Sequence, residues 1–159
     1  YNTKEKYLGV EFMINNEDFS KVVHKKCDYY IPKFEEIMEN KDKESWNYSA
    51  FFFSFSWLVY RKMYIEGFTI LAINILVMFI GNWEGVVSIL THFICGIYGN
   101  YLYFNHCKKK INDNIDLDEN LKNNKLHRVG GVSIFGLIIV FIIVFISTGI
   151  YVKYNPAPF

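Results

Sequence analysis

The sequence predicts an all-α membrane protein with three transmembrane helices, a short interfacial or re-entrant aromatic helix, and a cytoplasmic helical cap. Three observations carry this. The 159 residues are 52% hydrophobic and 19% aromatic, yet 21% are charged, and the two kinds fall into alternating blocks. Three charge-free blocks are long enough, or nearly so, to cross a hydrocarbon core ~30 Å thick at ~1.5 Å per helical residue. Lys and Arg collect in blocks beside the charge-free ones and are missing from the tightest connection between them.

Residues 1–48 read as a cytoplasmic amphipathic helical cap. Tyr1 stands where Met would open a chain, so an upstream segment is expected to be missing or processed; no signal peptide is visible. "LGVEFMI" alternates Leu8, Val10, Phe12 and Ile14, the pattern of a short extended segment. "EDFSKVVHKKC" places Phe19, Val22, Val23 and Cys27 at helical spacing, with Lys21, Lys25 and Lys26 away from them. Asp28 suits a helix cap, and Pro32 would fall in the first turn, where a missing N–H costs little. Phe34, Ile37 and Met38 continue an apolar face. The expected helices run from about Glu17 to Cys27 and from Tyr29 to Asn40.

"SAFFFSFSWLVYRKMY", Ser49 to Tyr64, is apolar enough for a membrane and too short to cross one. Ten helical residues reach only ~15 Å. A fourth span here would also carry the Lys-rich N-terminal block outside, against the positive-inside bias. Residues 49–64 therefore read as a helix that lies in the cytoplasmic interface or dips into one leaflet. One long bent helix from Ser49 through Ile80 is the alternative, and a fourth span a further one. Arg61 and Lys62 would snorkel to the headgroups. Trp46, Tyr48, Trp57, Tyr60 and Tyr64 would form an aromatic belt at that depth.

Three spans follow, at about 66–82, 85–104 and 130–152. "GNWEG", Gly81 to Gly85, joins the first two as a helical hairpin, with Trp83 at the interface. The loop 105–129 holds Lys108, Lys109, Lys110, Lys122, Lys125 and Arg128. Its "DLDENLKNNKLHR" reads as a helix capped by Asp116, with Glu119 at capping-box spacing. The charge distribution places the N-terminus in the cytoplasm and the C-terminal tail outside. Lys108 to Lys110 serve either as anionic-lipid contacts or as topology markers.

Little chemistry is legible. The net charge of +1 offers no case for nucleic-acid binding. The three cysteines are odd in number and are expected to be reduced thiols. His24 with Cys27, and His106 with Cys107, lack the paired spacing of a zinc site, so no metal or other cofactor is expected. His92 and Asn74 are the deepest polar residues of the spans. Thr91 and Cys95 flank His92 along the helix. An intramembrane ionisable group is a functional candidate, with hydrogen bonding between helices as the plainer role. No nucleophile motif, phosphate loop or paired acids are present.

"DYYIPKFEEI", "WNYSAFFFSFSWLVYRKMYIEG" and "GNYLYFNHCKKKI" together resemble a bacterial family of small membrane proteins, domain of unknown function 2628. The resemblance rests on Asn47, Ala50, Phe51, Phe52, Trp57, Tyr60, Arg61, Lys62, Met63 and Tyr64, then on Asn100, Tyr101, Tyr103 and the Lys108 to Lys110 run. It covers roughly Asp28 to Ile111 and leaves out the third span. It implies a membrane location and no assigned activity; some members carry a zinc ribbon, which this chain lacks. The expected protein is a non-enzymatic subunit of the bacterial cytoplasmic membrane. It would be an accessory, scaffolding or regulatory part of a larger complex, contacting lipids and other membrane subunits or itself. A transporter or channel component using His92 and Asn74 is the alternative, and a membrane-embedded enzyme using His106 or Cys107 the third.

Overall fold

Charge-free and charged blocks both fold into helices, and one helix of 29 residues runs from the second charge-free block into the lysine run. The structure, a computed structural model, describes residues 15–40, 43–81 and 83–155. The extended segment expected over residues 8–14 and the tail beyond Asn155 lie outside them. Among the described residues the regular structure is entirely helical: α1 (Asn16–Val23), α2 (Cys27–Asn40), α3 (Tyr48–Tyr60), α4 (Tyr64–Ile80), α5 (Glu84–Asn112), α6 (Glu119–Val129) and α7 (Ile134–Tyr154). They fall into two units. One joins the chain up to Ser45 with Asn100–Val132; the other joins Trp46–Gly99 with the chain from Ser133 onward. Expected boundaries of the cap therefore shift: the charged loop and the end of α5 belong with it.

In the first unit, Asn15 caps α1 by accepting the Asp18 amide at 2.8 Å. Phe19, Val22 and Val23 are buried, as their spacing requires. The helix stops at Val23, four residues earlier than expected, because His24 turns to φ 57° and Lys26 to φ 67°. α2 consequently starts at Cys27 rather than Tyr29. Pro32 sits in the second turn instead of the first, and removes the bond that the Asp28 carbonyl would accept. The core is aromatic. The Phe19 and Phe34 rings lie 5.2 Å apart edge to face, Phe34 and Phe104 5.5 Å, and Tyr30 and Tyr103 5.0 Å. Leu126 of α6 is fully buried as well. The capping box expected at Asp116 and Glu119 does not form: the chain turns after α5, and α6 begins at Glu119 behind Asp118, with no side-chain cap bond.

The second unit packs α3 on α4, α3 on α7 and α4 on α7. Val59, Leu71 and Val140 form its centre, with Phe55, Phe68, Ile75, Ile143 and Val144 around them. A Cβ placed on Gly67 would lie 2.6 Å from Val59 Cγ2 and 3.1 Å from the Phe55 carbonyl oxygen, so only glycine lets α4 approach α3 this closely. Residues 61–63 turn the chain back on itself, with Lys62 at φ 61° and the Met63 amide donating to the Leu58 carbonyl at 2.9 Å. This turn replaces the single bent helix from Ser49 through Ile80. Gly81, at φ 84°, makes the expected turn after α4. α3 lies against α4 at Gly67 and against α5 at Gly96 and Gly99.

Among the described residues two helices are long and apolar enough to cross a membrane: α5, with 29 residues, and the apolar stretch ending at Tyr154, which is the 21-residue α7. α4 is apolar but shorter, at 17 residues. Gly67→Ala is expected to lower the thermal stability of the detergent-solubilised protein by about 1–3 kcal/mol through overpacking. Gly85→Ala, where an added Cβ meets nothing within 4 Å, should leave the unfolding midpoint unchanged or raise it.

Candidate functional site

The densest arrangement of buried polar groups in the second unit is built where α3 meets α5. Asn47 caps α3 by accepting the Ala50 amide at 2.9 Å, while its own amide donates to the Gly96 carbonyl at 2.8 Å. Ala50 then lies against Gly99 and Phe51 against Gly96: added Cβ atoms there would meet them at 2.7 and 3.0 Å. Small residues on α5 thus receive the apolar start of α3. Midway, Ser54 leaves the helical region, at φ 40° and ψ −121°, with none of its surface exposed. Its hydroxyl donates to Cys95 Sγ at 3.6 Å. Beyond this break Trp57, Leu58 and Val59 are buried.

That burial changes what the aromatic and basic residues do. Trp57, expected as an interface anchor, is only 4% exposed, because the break turns its indole inward and Gly99 leaves room for it. Arg61, expected to snorkel, is also 4% exposed, with its guanidinium 5.9 Å from the Tyr60 ring centroid. Lys62 is half-buried, and desolvation pushes its ammonium pKa down. Trp46 packs its ring 5.2 Å from Phe51; it is partly exposed, as is Tyr64, and Trp83 is more so.

His92, Asn74, Thr91 and Cys95 are not brought into one cluster. Asn74 donates to its own helix, at the Ile70 carbonyl 2.9 Å away. The Thr91 hydroxyl donates to the Ser88 carbonyl at 2.8 Å, and His92 Nδ1 lies 2.7 Å from the same oxygen. Cys95 faces Ser54 instead. His92 lines an open groove with Phe51, Ser88, Ile89 and Phe93. The residues missed from sequence are Asn47 and Ser54. A capping asparagine before an apolar run was the available signal for the first; nothing local marks Ser54.

The first unit has its own buried polar groups. Asn100, fully buried, donates to the Tyr29 hydroxyl at 3.2 Å, to Ser45 Oγ at 3.1 Å and to the Ser45 carbonyl at 3.3 Å. Asp18 pairs with Lys122 at 2.7 Å. The zinc candidates do not converge, and among the described residues no three His, Cys, Asp or Glu side chains do. The His24 ring lies 4.8 Å from His127, whereas Cys27 Sγ sits 3.8 Å from the Ser20 carbonyl. Of the Lys108 to Lys110 run, Lys110 donates to the Val129 carbonyl at 2.6 Å, closing the C-terminus of α6 rather than reaching lipid. Lys108 lies over the Phe104 ring, and Lys109 is exposed. Among the described residues His106 Nε2 is buried without a partner, and burial, followed by Lys110 and Lys109, pushes the imidazole pKa down to about 4.

An all-helical chain with two helices of spanning length and composition, and a broken aromatic helix set on small residues, is the class these observations define. The chain belongs to the family described as Protein of unknown function (DUF2628), whose model matches residues 16–109. That stretch holds α1 to α4 and α5 up to Lys109, including Asn47, Ser54, Gly96 and Gly99, and stops before α7. No curated protein and no solved structure matches the chain.

Because the folded protein holds His106 below its ordinary range, the unfolded chain takes up this proton first. Stability conferred by the neutral ring is complete above about pH 6.5 and drains as the pH falls towards 4. His106→Gln should flatten the pH dependence of the unfolding midpoint across that window; an unchanged slope would assign the loss to other groups.

Proposed function

We propose that this chain is a non-enzymatic integral membrane protein, an accessory, scaffolding or regulatory subunit of a larger assembly in the bacterial cytoplasmic membrane. The observation that carries the reading is the outward face of the second unit. Ile65, Leu76 and Ile80 of α4, Ile89 and Leu90 of α5, and Phe135, Phe141 and Phe145 of α7 are all exposed. Single exposed apolar residues are ordinary, but three helices each lined with them need lipid or protein around them.

On this reading α4, α5 and α7 are three spans. The 17 residues of α4 reach ~25 Å, at the short end of the range, with Tyr64 and Trp83 at its two sides. α3 is re-entrant. Its break at Ser54 fits, because irregular backbone at membrane depth is tolerated only where protein encloses it, and Ser54 is wholly enclosed. The Lys-rich N-terminal block and the segment from Asn105 to Gly131 face the cytoplasm, with the tail beyond α7 outside.

Purification of the tagged chain in a mild detergent should recover a second membrane protein in fixed stoichiometry. A preparation holding this chain alone, at every detergent tried, would overturn the accessory reading. Topology is tested by single cysteines placed at Lys25 and at Lys153. An impermeant thiol reagent applied to intact cells should label only the second; labelling of the first would invert the orientation.

A further inference from the structure

The packing of the first unit gathers charge at one end. α1 and α6 lie side by side and run in the same direction. Asp18 pairs with Lys122 at 2.7 Å, Lys21 donates to Asn123 at 2.7 Å, and further along the His24 ring lies 4.8 Å from His127. Both helices begin with acids: Glu17 and Asp18 in the first turn of α1, Asp118 and Glu119 at the start of α6. Both end with bases. That order suits each macrodipole, and the parallel packing then brings like ends together.

The basic ends are exposed and tied to each other. Lys25 and Lys26 follow α1, Lys125 and Arg128 stand in the last two turns of α6, and all four are exposed. The Gly131 amide donates to the Val22 carbonyl at 2.8 Å, and a Cβ on Gly131 would lie 2.9 Å from His24 Nδ1, so glycine lets the chain leaving α6 close over the end of α1. Lys110 brings its ammonium to the same place, 2.6 Å from the Val129 carbonyl. Asp28, exposed in the first turn of α2, is the nearest acid in sequence. A macrodipole acts within the last turn, where Lys21 of α1 and His127 and Arg128 of α6 already stand. Lys25 and Lys26 lie beyond α1 and add charge past that need.

The chain keeps this end close to α7. Only Val132 and Ser133 separate Gly131 from Ile134, where α7 starts, and three steps of chain reach at most about 11 Å. On the membrane reading, α7 enters the bilayer at Ile134. Gly131 is then held near the surface at a distance comparable to the ~8 Å Debye length of physiological salt. Clustered lysine and arginine at that range attract anionic headgroups.

We propose that Lys25, Lys26, Lys125 and Arg128 form a docking surface for the phosphates of anionic phospholipids. It rests on the membrane reading above, and the test separates the two. The full chain in dodecyl maltoside micelles is melted with phosphatidylglycerol or with the same amount of phosphatidylcholine. Phosphatidylglycerol should raise the unfolding midpoint by several degrees over phosphatidylcholine. Going from ~0.1 M to ~1 M salt, which cuts the Debye length from ~10 to ~3 Å, should remove most of that gain. The variant carrying Lys25→Gln, Lys26→Gln, Lys125→Gln and Arg128→Gln should lose the gain. Lys25→Gln with Lys26→Gln, which alters side chains outside both helices and spares the fold, should lose about half. Lys25→Arg, Lys26→Arg and Lys125→Arg together should keep it. An undiminished gain in either Gln variant overturns the docking surface. An equal gain from inorganic phosphate overturns the lipid as its occupant. Flotation with phosphatidylcholine vesicles is read on the same preparations: a chain that does not float overturns the membrane reading itself, whereas one that floats and gains nothing from phosphatidylglycerol removes only the docking surface.

Discussion

Close approach at small residues governs the second unit. α3 is crowded with aromatic rings, and it can be enclosed only where its neighbours yield space: Gly67 on α4, Gly96 and Gly99 on α5, and Gly136 on α7, where an added Cβ would lie 2.8 Å from Val59. On the membrane reading proposed above, the hydrophobic effect does little to bring these helices together, so contact area and hydrogen bonds must do it. Glycine under Val59, Ala50 and Phe51 supplies the first. Asn47 and Ser54 supply the second, since each meets α5 through a polar atom that would otherwise be stranded.

The two units solve burial differently. The aromatic core around Phe34 follows the rules of water-soluble folding, where enclosing each large apolar side chain contributes about 1.5–3 kcal/mol. Many of its polar members are paired, as with Lys21, which bonds both Glu17 and Asn123, and the buried Asn100, which donates to Tyr29 and Ser45. The centre around Val59 is small and aliphatic, and many of its helices' large side chains point away from it. A chain that is about half hydrophobic yet hides so little of it in one unit is organised for surroundings other than water alone.

Helix identity was legible in the sequence, because segregation of charge and apolar periodicity are long-range patterns that survive local detail. Phe19, Val22, Phe34 and Ile37 are buried as their spacing requires. Termini were less legible. His24, Lys26 and Lys62 take positive φ values with no glycine or asparagine to announce them, so α1, α2 and the turn after α3 begin and end off the expected marks. The candidate site was read with the right helices and partly the wrong residues. His92 and Asn74 stood out as polar residues in apolar runs, yet backbone carbonyls of their own helices take up the bonds found for them. Ser54, Trp57 and Arg61 owe their roles to a helix break, which no spacing rule reveals.

Val59 meets Gly67 and Gly136 at once, and the Tyr60 carbonyl accepts the amide of Ser133 at 2.8 Å. Of the described helices, α7 is made last. α3, made some seventy residues earlier, must wait with one side uncovered until α7 arrives. The packing of this unit is therefore completed only when α7 reaches α3, across a stretch of chain that belongs to the other unit.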